Sequence, residues 1–435
     1  MAKQNKPVKE FTFSKIGSIM KEISKDIPIE IVSNDEATNR EMLDTGIYLL
    51  NAAMSTDIYG GLQSNRITVF AAPSGCGKSF LCYSVVKNAQ KKGWNCIYID
   101  TEFSIELDKL PGYGVDISED KFMLIRSNIV EDVLKLLTQL LDSMKEAKRA
   151  GEKLPKTMII MDSVGMLASK REHDNALNNK DAADFTRAKS LASMFRLING
   201  DLGYLNIPMI CTNHTYSTMD LYSKDVMKGG NGLFYSASVI GFMTKAKLKD
   251  EFVDDMDLGS SGITVTFKTE KNRMAKPKKV KFEISFTKGM NPYSGLDNFC
   301  KPEYFEQIGV AQGKMVKFDK PKEVVDKKTG EVKIVNEEFV AGGNRWYARH
   351  IGQITKAELL TAKVFTPEVL EAMRPIIKDY FRYRSMEEIE EYNKQFELDN
   401  VAVEEEEEDD ISDYSSSTST GGSNAGDISE DELFG

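Results

Sequence analysis

The sequence predicts an α/β fold: a mostly parallel sheet flanked by helices. An N-terminal helical segment precedes it, and a smaller C-terminal α+β region and a disordered acidic tail follow. Three observations carry this reading. From about residue 39 to 290, β-branched runs alternate with segments whose apolar residues recur at helical spacing, as in strand–helix–strand units of one parallel sheet. One unit, Arg66-Ile-Thr-Val-Phe-Ala-Ala-Pro-Ser-Gly-Cys-Gly-Lys-Ser79, reads as strand, glycine-bearing turn and helix start. Three further apolar runs lead into Asp100-Thr-Glu102, Asp162 and Asn213-His214. Polar groups then stand at the carboxyl ends of strands, where open α/β sheets bind ligands.

Composition narrows the class. The chain has 435 residues, 41% hydrophobic and 29% charged, which suits a globular protein with a substantial core. No apolar run approaches the ~20 residues of a membrane span, and the polar N-terminus does not read as a signal peptide. Cys76, Cys82, Cys96, Cys211 and Cys300 lack metal-ligand spacing and are expected as reduced thiols in a cytosolic compartment. The net charge of −10 is concentrated at the C-terminus: twelve acids and no Lys or Arg lie between Glu404 and Gly435. The remaining body is close to neutral, which leaves nucleic-acid binding open.

In chain order, residues 1–38 form an N-terminal assembly segment in which Ile16, Ile19, Met20 and Ile23 define a short amphipathic helix. Its apolar face must be covered, either by the chain's own core or by a neighbouring subunit. In the core region, 39–290, Cys96–Ile99, Thr157–Asp162 and Pro208–Asn213 are buried strands. Ile129 to Met144 and Phe185 to Phe195 are helices. Ile263, Val265 and Phe267, then Val280, Phe282, Ile284 and Phe286, alternate as an antiparallel hairpin. Its connection is expected to carry Lys271, Arg273, Lys276, Lys278 and Lys279. The C-terminal region, 291–398, contains a second hairpin at Val324–Val335, a helix capped by Thr366-Pro367 and a capping box at Ser385–Glu388. The tail, 399–435, is too acidic and Ser/Thr/Gly-rich to fold alone.

The chemistry centres on the glycine-bearing turn. Backbone N–H groups of Ser74, Gly75, Cys76, Gly77, Lys78, Ser79 and Phe80 can wrap a phosphate at a helix N-terminus. The Lys78 ammonium then meets the outer phosphates, and the Ser79 hydroxyl a magnesium ion. The pattern asks for glycine at position 72, and this chain has Ala72. Asp162 can orient the metal, Glu102 can polarise an attacking water, and His214 can sense the terminal phosphate. Singly each reads as an ordinary polar residue; together beside a phosphate loop they point to nucleotide hydrolysis.

Gly75-Cys-Gly-Lys-Ser79, Tyr98-Ile-Asp-Thr-Glu102, Met161-Asp-Ser-Val-Gly165, Thr212-Asn-His-Thr-Tyr216 and Gly229-Gly-Asn-Gly-Leu-Phe-Tyr-Ser-Ala237 occur in this order. Together with Leu167-Ala-Ser-Lys-Arg171, Thr186-Arg-Ala-Lys189 and Asn291-Pro-Tyr-Ser-Gly295, they resemble the RecA-type recombinases, in particular those of T4-like bacteriophages. The resemblance spans roughly residues 40–300. It implies a DNA-dependent ATPase, with ATP and Mg2+ as cofactors, that forms helical filaments on single-stranded DNA. Such a filament catalyses homologous pairing and strand exchange with duplex DNA in repair, recombination and recombination-dependent replication. It further implies ATP contacts from the next subunit through Lys271 and Arg273. Two DNA-binding loops are implied, at about Asn175–Asp184 and at Ser217–Asn231, with Arg187, Lys224, Lys228, Gly229, Gly230 and Asn231 as contacts. Expected partners are other copies of the chain, a single-stranded-DNA-binding protein and a loading mediator, with no membrane. The expected location is cytoplasmic, that of the bacterial host if the chain is viral. One departure stands out: where relatives often place an adenine-stacking aromatic, this chain has Lys109. A ring-forming DNA helicase and a non-hydrolysing DNA-coating or mediator protein are the alternatives. Retention of Lys78, Ser79, Glu102 and Asp162 together argues against the latter.

Overall fold

The computed structural model describes residues 13–23, 41–178, 186–217, 225–228, 231–248, 261–312, 317–325, 332–340 and 345–394. The predicted N-terminal helix is present as α1 (Phe13–Ile23), with Ile16 and Met20 exposed. The acidic tail lies outside the described residues.

A nine-stranded sheet forms the centre. Its strands are β1 (Ile67–Ala71), β2 (Asn95–Asp100), β3 (Phe122–Arg126), β4 (Thr157–Asp162) and β5 (Met209–Asn213). After the small hairpin of β6 (Thr215–Ser217) and β7 (Asp225–Met227) come β8 (Val239–Lys247), β9 (Gly262–Asn272), β10 (Lys279–Ser285) and β11 (Gly289–Met290). The order across the sheet is β11-β10-β9-β8-β1-β5-β4-β2-β3. From β8 to β3 every neighbour is parallel, and β9, β10 and β11 extend the sheet antiparallel. The parallel strands β1 and β4 are buried along their whole length, as expected for a sheet covered on both faces.

Helices supply the two covers. On one face lies α2 (Lys78–Lys91), which begins in the glycine-bearing turn and buries Leu81, Cys82, Val85, Val86 and Ala89. On the other lie α3 (Val130–Arg149) and α5 (Thr186–Leu205), whose Val133, Leu137, Leu141, Leu191, Phe195 and Ile198 pack on Ile97, Ile159 and Met161. The shorter α4 (Lys170–Leu177) stands between them in sequence.

The antiparallel hairpin predicted for 263–286 is present as β9 and β10, with one correction. Pairing of β9 with β8 continues to Val239↔Asn272 past a bulge at Ile240/Gly241, and Lys279 pairs with Lys268 at the start of β10, so Lys271 and Lys279 belong to the strands and not to the connection. In this sheet β3, β8 and the short β11 escaped the sequence reading. Gly241 interrupts the apolar run of β8 because any side chain there would collide with Phe267 of β9.

Beyond the large sheet, β12 (Val310–Gln312), β15 (Trp346–Ala348) and β16 (Gly352–Ile354) make a small sheet. The predicted hairpin is β13 (Lys317–Val325) paired with β14 (Val332–Val340). Helix α7 (Pro367–Phe381) opens as predicted, with Thr366 Oγ1 accepting the Val369 N–H at 3.4 Å. Chain contacts divide the molecule into a first unit, Met1–Arg382, and a second, Tyr383–Gly435. The apolar cluster on the α2 side of the sheet includes Val364, Phe365, Met373, Ile377 and Phe381. In the second unit the capping box is formed. Ser385 N–H donates to Glu388 Oε2 at 2.8 Å, and Glu388 N–H to Ser385 Oγ at 3.2 Å.

Candidate nucleotide-binding and catalytic site

The glycine-bearing turn joins buried β1 to α2. Gly77 has φ +81°, and a Cβ there would lie 2.5 Å from Ile284 Cδ1, so only glycine fits. Ala72 is fully buried and is not among the residues with left-handed backbone, which explains why alanine suffices there. The turn's geometry is fixed by Lys78, whose Nζ donates to the carbonyls of Ala72 and Pro73, each at 3.1 Å. Burial pulls the Lys78 pKa down, while the Asp162 carboxylate nearby opposes that shift. A cation inside a ring of loop N–H groups favours phosphate oxygens.

Asp162 ends β4 and is almost completely buried. Its Oδ2 accepts hydrogen bonds from Ser79 Oγ and Tyr98 OH, both at 2.7 Å, and its Oδ1 accepts one from Thr212 Oγ1. Strand pairing brings these groups together: Asp100 lies beside Asp162 across β2 and β4, and Met161 beside Cys211 across β4 and β5. With both carboxylate oxygens already engaged, Ser79 Oγ is the group suited to touch a metal directly. Asp162 is suited to holding the metal's water.

Glu102 follows β2 in a turn held by Asp100, whose carboxylate accepts the N–H groups of Glu102, Ser104 and Ile105. Glu102 Oε1 accepts from Ser163 Oγ at 2.6 Å and lies 2.8 Å from His214 Nε2. Burial alone would raise the Glu102 pKa, but the hydrogen bonds from Ser163 and His214 prevail and hold it below the ordinary carboxylate value. Ser163 is itself fixed by Thr101, its N–H donating to Thr101 Oγ1 at 2.8 Å and its carbonyl accepting from that hydroxyl at 2.6 Å.

From His214 the contacts continue into the second predicted loop. Lys228 N–H donates to the His214 carbonyl at 3.1 Å, and the Lys228 carbonyl accepts from Asn213 Nδ2 at 2.8 Å. Asn213 is fully buried, and its Oδ1 has no hydrogen-bond partner. The loop expected to be irregular has paired arms, Thr215↔Met227 to Ser217↔Asp225. β-Formers on both arms and the burial of Met227 account for the pairing. Lys228 and Asn231 are exposed, whereas Lys224, Gly229 and Gly230 lie outside the described residues.

The first predicted loop also needs correction. Residues 175–177 close α4, because Ser169 Oγ accepts the Glu172 N–H at 3.0 Å and so caps a helix there. Residues 179–185 lie outside the described ones. Arg187, on the first turn of α5, donates to the carbonyls of Gly165 (2.7 Å) and Leu167, bracing the segment after Asp162. Lys271 Nζ donates to the carbonyls of Phe234 (2.7 Å) and Tyr235 (3.1 Å) in the short helix α6 (Gly232–Ser236), while Arg273 is exposed. Burial, then repulsion from Arg273, lowers the Lys271 pKa.

Sequence reasoning missed Tyr98, Ser163, Thr212 and Asn213. Each lies within four positions of a residue it did single out, but a hydroxyl or amide in or just after an apolar strand carries no pattern until the strands are aligned. Against the phosphate loop lies a cavity of about 850 Å³, whose lining includes Gly75, Gly77, Phe80 and Ser285–Gly289. Lys109 does not line it; its ammonium pairs with Glu106.

The RecA N-terminal domain family matches residues 13–291. The chain is 33% identical over 281 residues to the recombination and repair protein of Enterobacteria phage T4, covering 64% of this chain and 68% of that protein. It is 26% identical over 273 residues to protein RecA of Leifsonia xyli subsp. xyli, covering 62% and 70%. It is 25% identical over 264 residues to the mitochondrial DNA repair protein recA homolog 3 of Arabidopsis thaliana, covering 58% and 55%. The family match spans the phosphate loop, Glu102, Asp162 and His214, and the chain belongs to the RecA family, as an ATP-binding, DNA-dependent ATPase of recombination and repair.

Proposed function

We propose that this chain coats single-stranded DNA as a helical filament, with ATP held between adjacent subunits, and catalyses homologous pairing and strand exchange with duplex DNA. The observation that carries the reading is the continuous contact from Glu102 through His214 to the backbone of Lys228. It joins a water-activating carboxylate to the segment expected to grip DNA.

Lys78 and the loop N–H groups bind the triphosphate, and the donor set of Ser79 Oγ and Asp162 suits a magnesium ion, a cation that favours oxygen ligands and keeps several waters. Bound there, magnesium would neutralise charge on the outer phosphates. Glu102 orients the attacking water and takes its proton at a carboxylate oxygen. His214 turns from Glu102 toward the terminal phosphate, and Lys228 moves with it because its N–H is bonded to the His214 carbonyl. Lys271 and Arg273 reach ATP on the next subunit. A head-to-tail contact of this kind that does not close on itself generates a helix rather than a ring. The expected setting is the cytoplasm, of a bacterial host if the chain is viral, with a single-stranded-DNA-binding protein and a loading mediator as partners. Among the described residues no helix is long and apolar enough to cross a membrane.

Electron micrographs of the protein with single-stranded DNA and a slowly hydrolysed ATP analogue test the reading. Filaments are expected, and closed rings would favour the helicase alternative. Lys78→Ala should abolish both filaments and DNA-stimulated hydrolysis; undiminished turnover would remove the phosphate-loop assignment.

A further inference from the structure

We propose that Tyr98 and Thr212 set which divalent cation the nucleotide site accepts; the proposal rests on the magnesium reading above. Their hydroxyls occupy the Asp162 carboxylate, so that a cation which keeps its water is favoured over one that needs the carboxylate directly. An ionised carboxylate offers about four lone-pair directions, two on each oxygen. Asp162 uses three of them on hydroxyls among the described residues. Oδ2 accepts Ser79 Oγ and Tyr98 OH, both at 2.7 Å, and Oδ1 accepts Thr212 Oγ1. About one direction is left, on Oδ1.

Packing holds both hydroxyls in place. Tyr98 is fully buried, and its ring packs on Tyr83 of α2 and on Phe122 of β3, with centroids 6.1 Å and 6.0 Å away. Tyr83 lies on the helix that carries Ser79, so the Tyr98 ring is anchored to the element that presents the other donor. Thr212 is also fully buried, paired with Phe70 of β1, and its branched Cβ leaves little rotational freedom. Bulk water can replace neither donor. Both residues stand in otherwise apolar strands, Asn95–Asp100 and Met209–Asn213, where Phe and Val would fill the same space. What Tyr and Thr add there is a hydroxyl, and each hydroxyl is directed at Asp162.

Divalent cations differ in what they ask of a carboxylate. Magnesium gives up its water reluctantly and accepts a carboxylate at one remove, through a bound water. Calcium takes more oxygen ligands and draws carboxylates in directly, often through both oxygens. An Asp162 carboxylate with three directions engaged cannot chelate a cation, but its last direction can accept a hydrogen bond from a water. Ser79 donates its proton to Asp162, so the lone pairs of its oxygen remain for the cation itself. Tyr98 and Thr212 are thus positioning residues: they touch the carboxylate and act through it.

The test uses the full chain with ADP, so that no turnover intervenes. Mn2+ bound to the protein–ADP complex is followed by electron paramagnetic resonance while Mg2+ or Ca2+ is titrated in competition. The ratio of Mg2+ to Ca2+ affinity should fall about tenfold or more in the Tyr98→Phe, Thr212→Val double variant, the lower end of what outer-shell partners of a metal are worth. Each single variant should move the ratio part of the way. Thr212→Ser keeps the hydroxyl and should keep the parental ratio. ADP affinity in EDTA should be parental throughout, because Lys78 and the loop N–H groups are untouched. A parental ratio in the double variant overturns the proposal, even if both affinities fall together. So does loss of metal-free ADP binding in Tyr98→Phe, which would mean that Tyr98 only supports the loop. A parent that binds ADP without taking up Mn2+ would instead remove the magnesium reading on which the proposal stands.

Discussion

Glu102 and His214 meet at 2.8 Å through Oε1 and Nε2, so the carboxylate placed to activate water and the ring placed to sense phosphate hold one another. Ser163 donates to the same oxygen. Glu102→Gln should therefore keep ATP affinity within about threefold while turnover falls about 100-fold or more, the usual worth of a positioned general base. Loss of nucleotide affinity would show Glu102 to be structural.

The same contacts set a pH dependence. Glu102 is held below the ordinary carboxylate pKa, so it remains a carboxylate as pH falls through that range. Ser163→Ala removes one stabilising donor, and the acid limb of kcat/KM should move to higher pH. An unchanged limb, from a rate profile between pH 4 and 8, would count against the assignment of Glu102 as base.

Asn213 fixes the Lys228 carbonyl to the end of β5. Asn213→Ala should loosen that tie and reduce the difference in single-stranded-DNA affinity between ATP-bound and ADP-bound protein, with ATP binding itself retained. Titrations with a labelled oligonucleotide in both nucleotide states decide this; an unchanged ratio would show that the coupling bypasses Asn213.

Lys271→Ala and Arg273→Ala should leave single subunits folded and shorten ATP-dependent filaments. The two need not act alike. Lys271 is bonded to the carbonyls of Phe234 and Tyr235, while Arg273 is exposed, so Arg273→Ala isolates the contact with the next subunit more cleanly. Equal filament lengths for parent and Arg273→Ala would argue against that contact.

Arg374 on α7 grips Asp57 with both ends of its guanidinium, Nε to Oδ1 at 3.0 Å and the second nitrogen to Oδ2 at 2.6 Å. Burial raises the Asp57 pKa, but the Arg374 hydrogen bonds outweigh it and leave it lowered. A lowered carboxylate pKa stabilises the fold above the unfolded value of about 4, and the stabilisation fades as pH drops through the folded value. The pair is partly exposed, so Arg374→Ala should cost about 1 kcal/mol at pH 7. The gap between parent and variant in urea unfolding should narrow near pH 3. A gap independent of pH would assign the loss to packing of Arg374 on Tyr59 instead.

Much of this was legible in the sequence because the signals were local. The run from Arg66 to Ser79 specifies strand, turn and helix by neighbouring residues alone, and Thr366-Pro367 specifies a helix start in the same way. What the sequence did not disclose depends on strand order. Tyr98 and Asp162 are 64 positions apart and meet only because β2 lies beside β4. Thr212 reaches Asp162 across β4 and β5 for the same reason. The paired arms of β6 and β7 were hidden by Gly229-Gly230 and by lysines that read as loop.

The family match stops at residue 291, but the apolar layer beneath α2 does not. Phe365, Met373, Ile377 and Phe381 are buried in the same cluster as Leu81, Val85 and Phe282. The region outside the family boundary is thus part of what keeps the ATPase soluble. A fragment ending near 291 would present a broad greasy face to water and aggregate, whereas one ending just after Arg382 keeps that layer whole. For crystallisation, truncation series or fusions, the safe place to cut is set by where the oily layer ends and not by where the family likeness does.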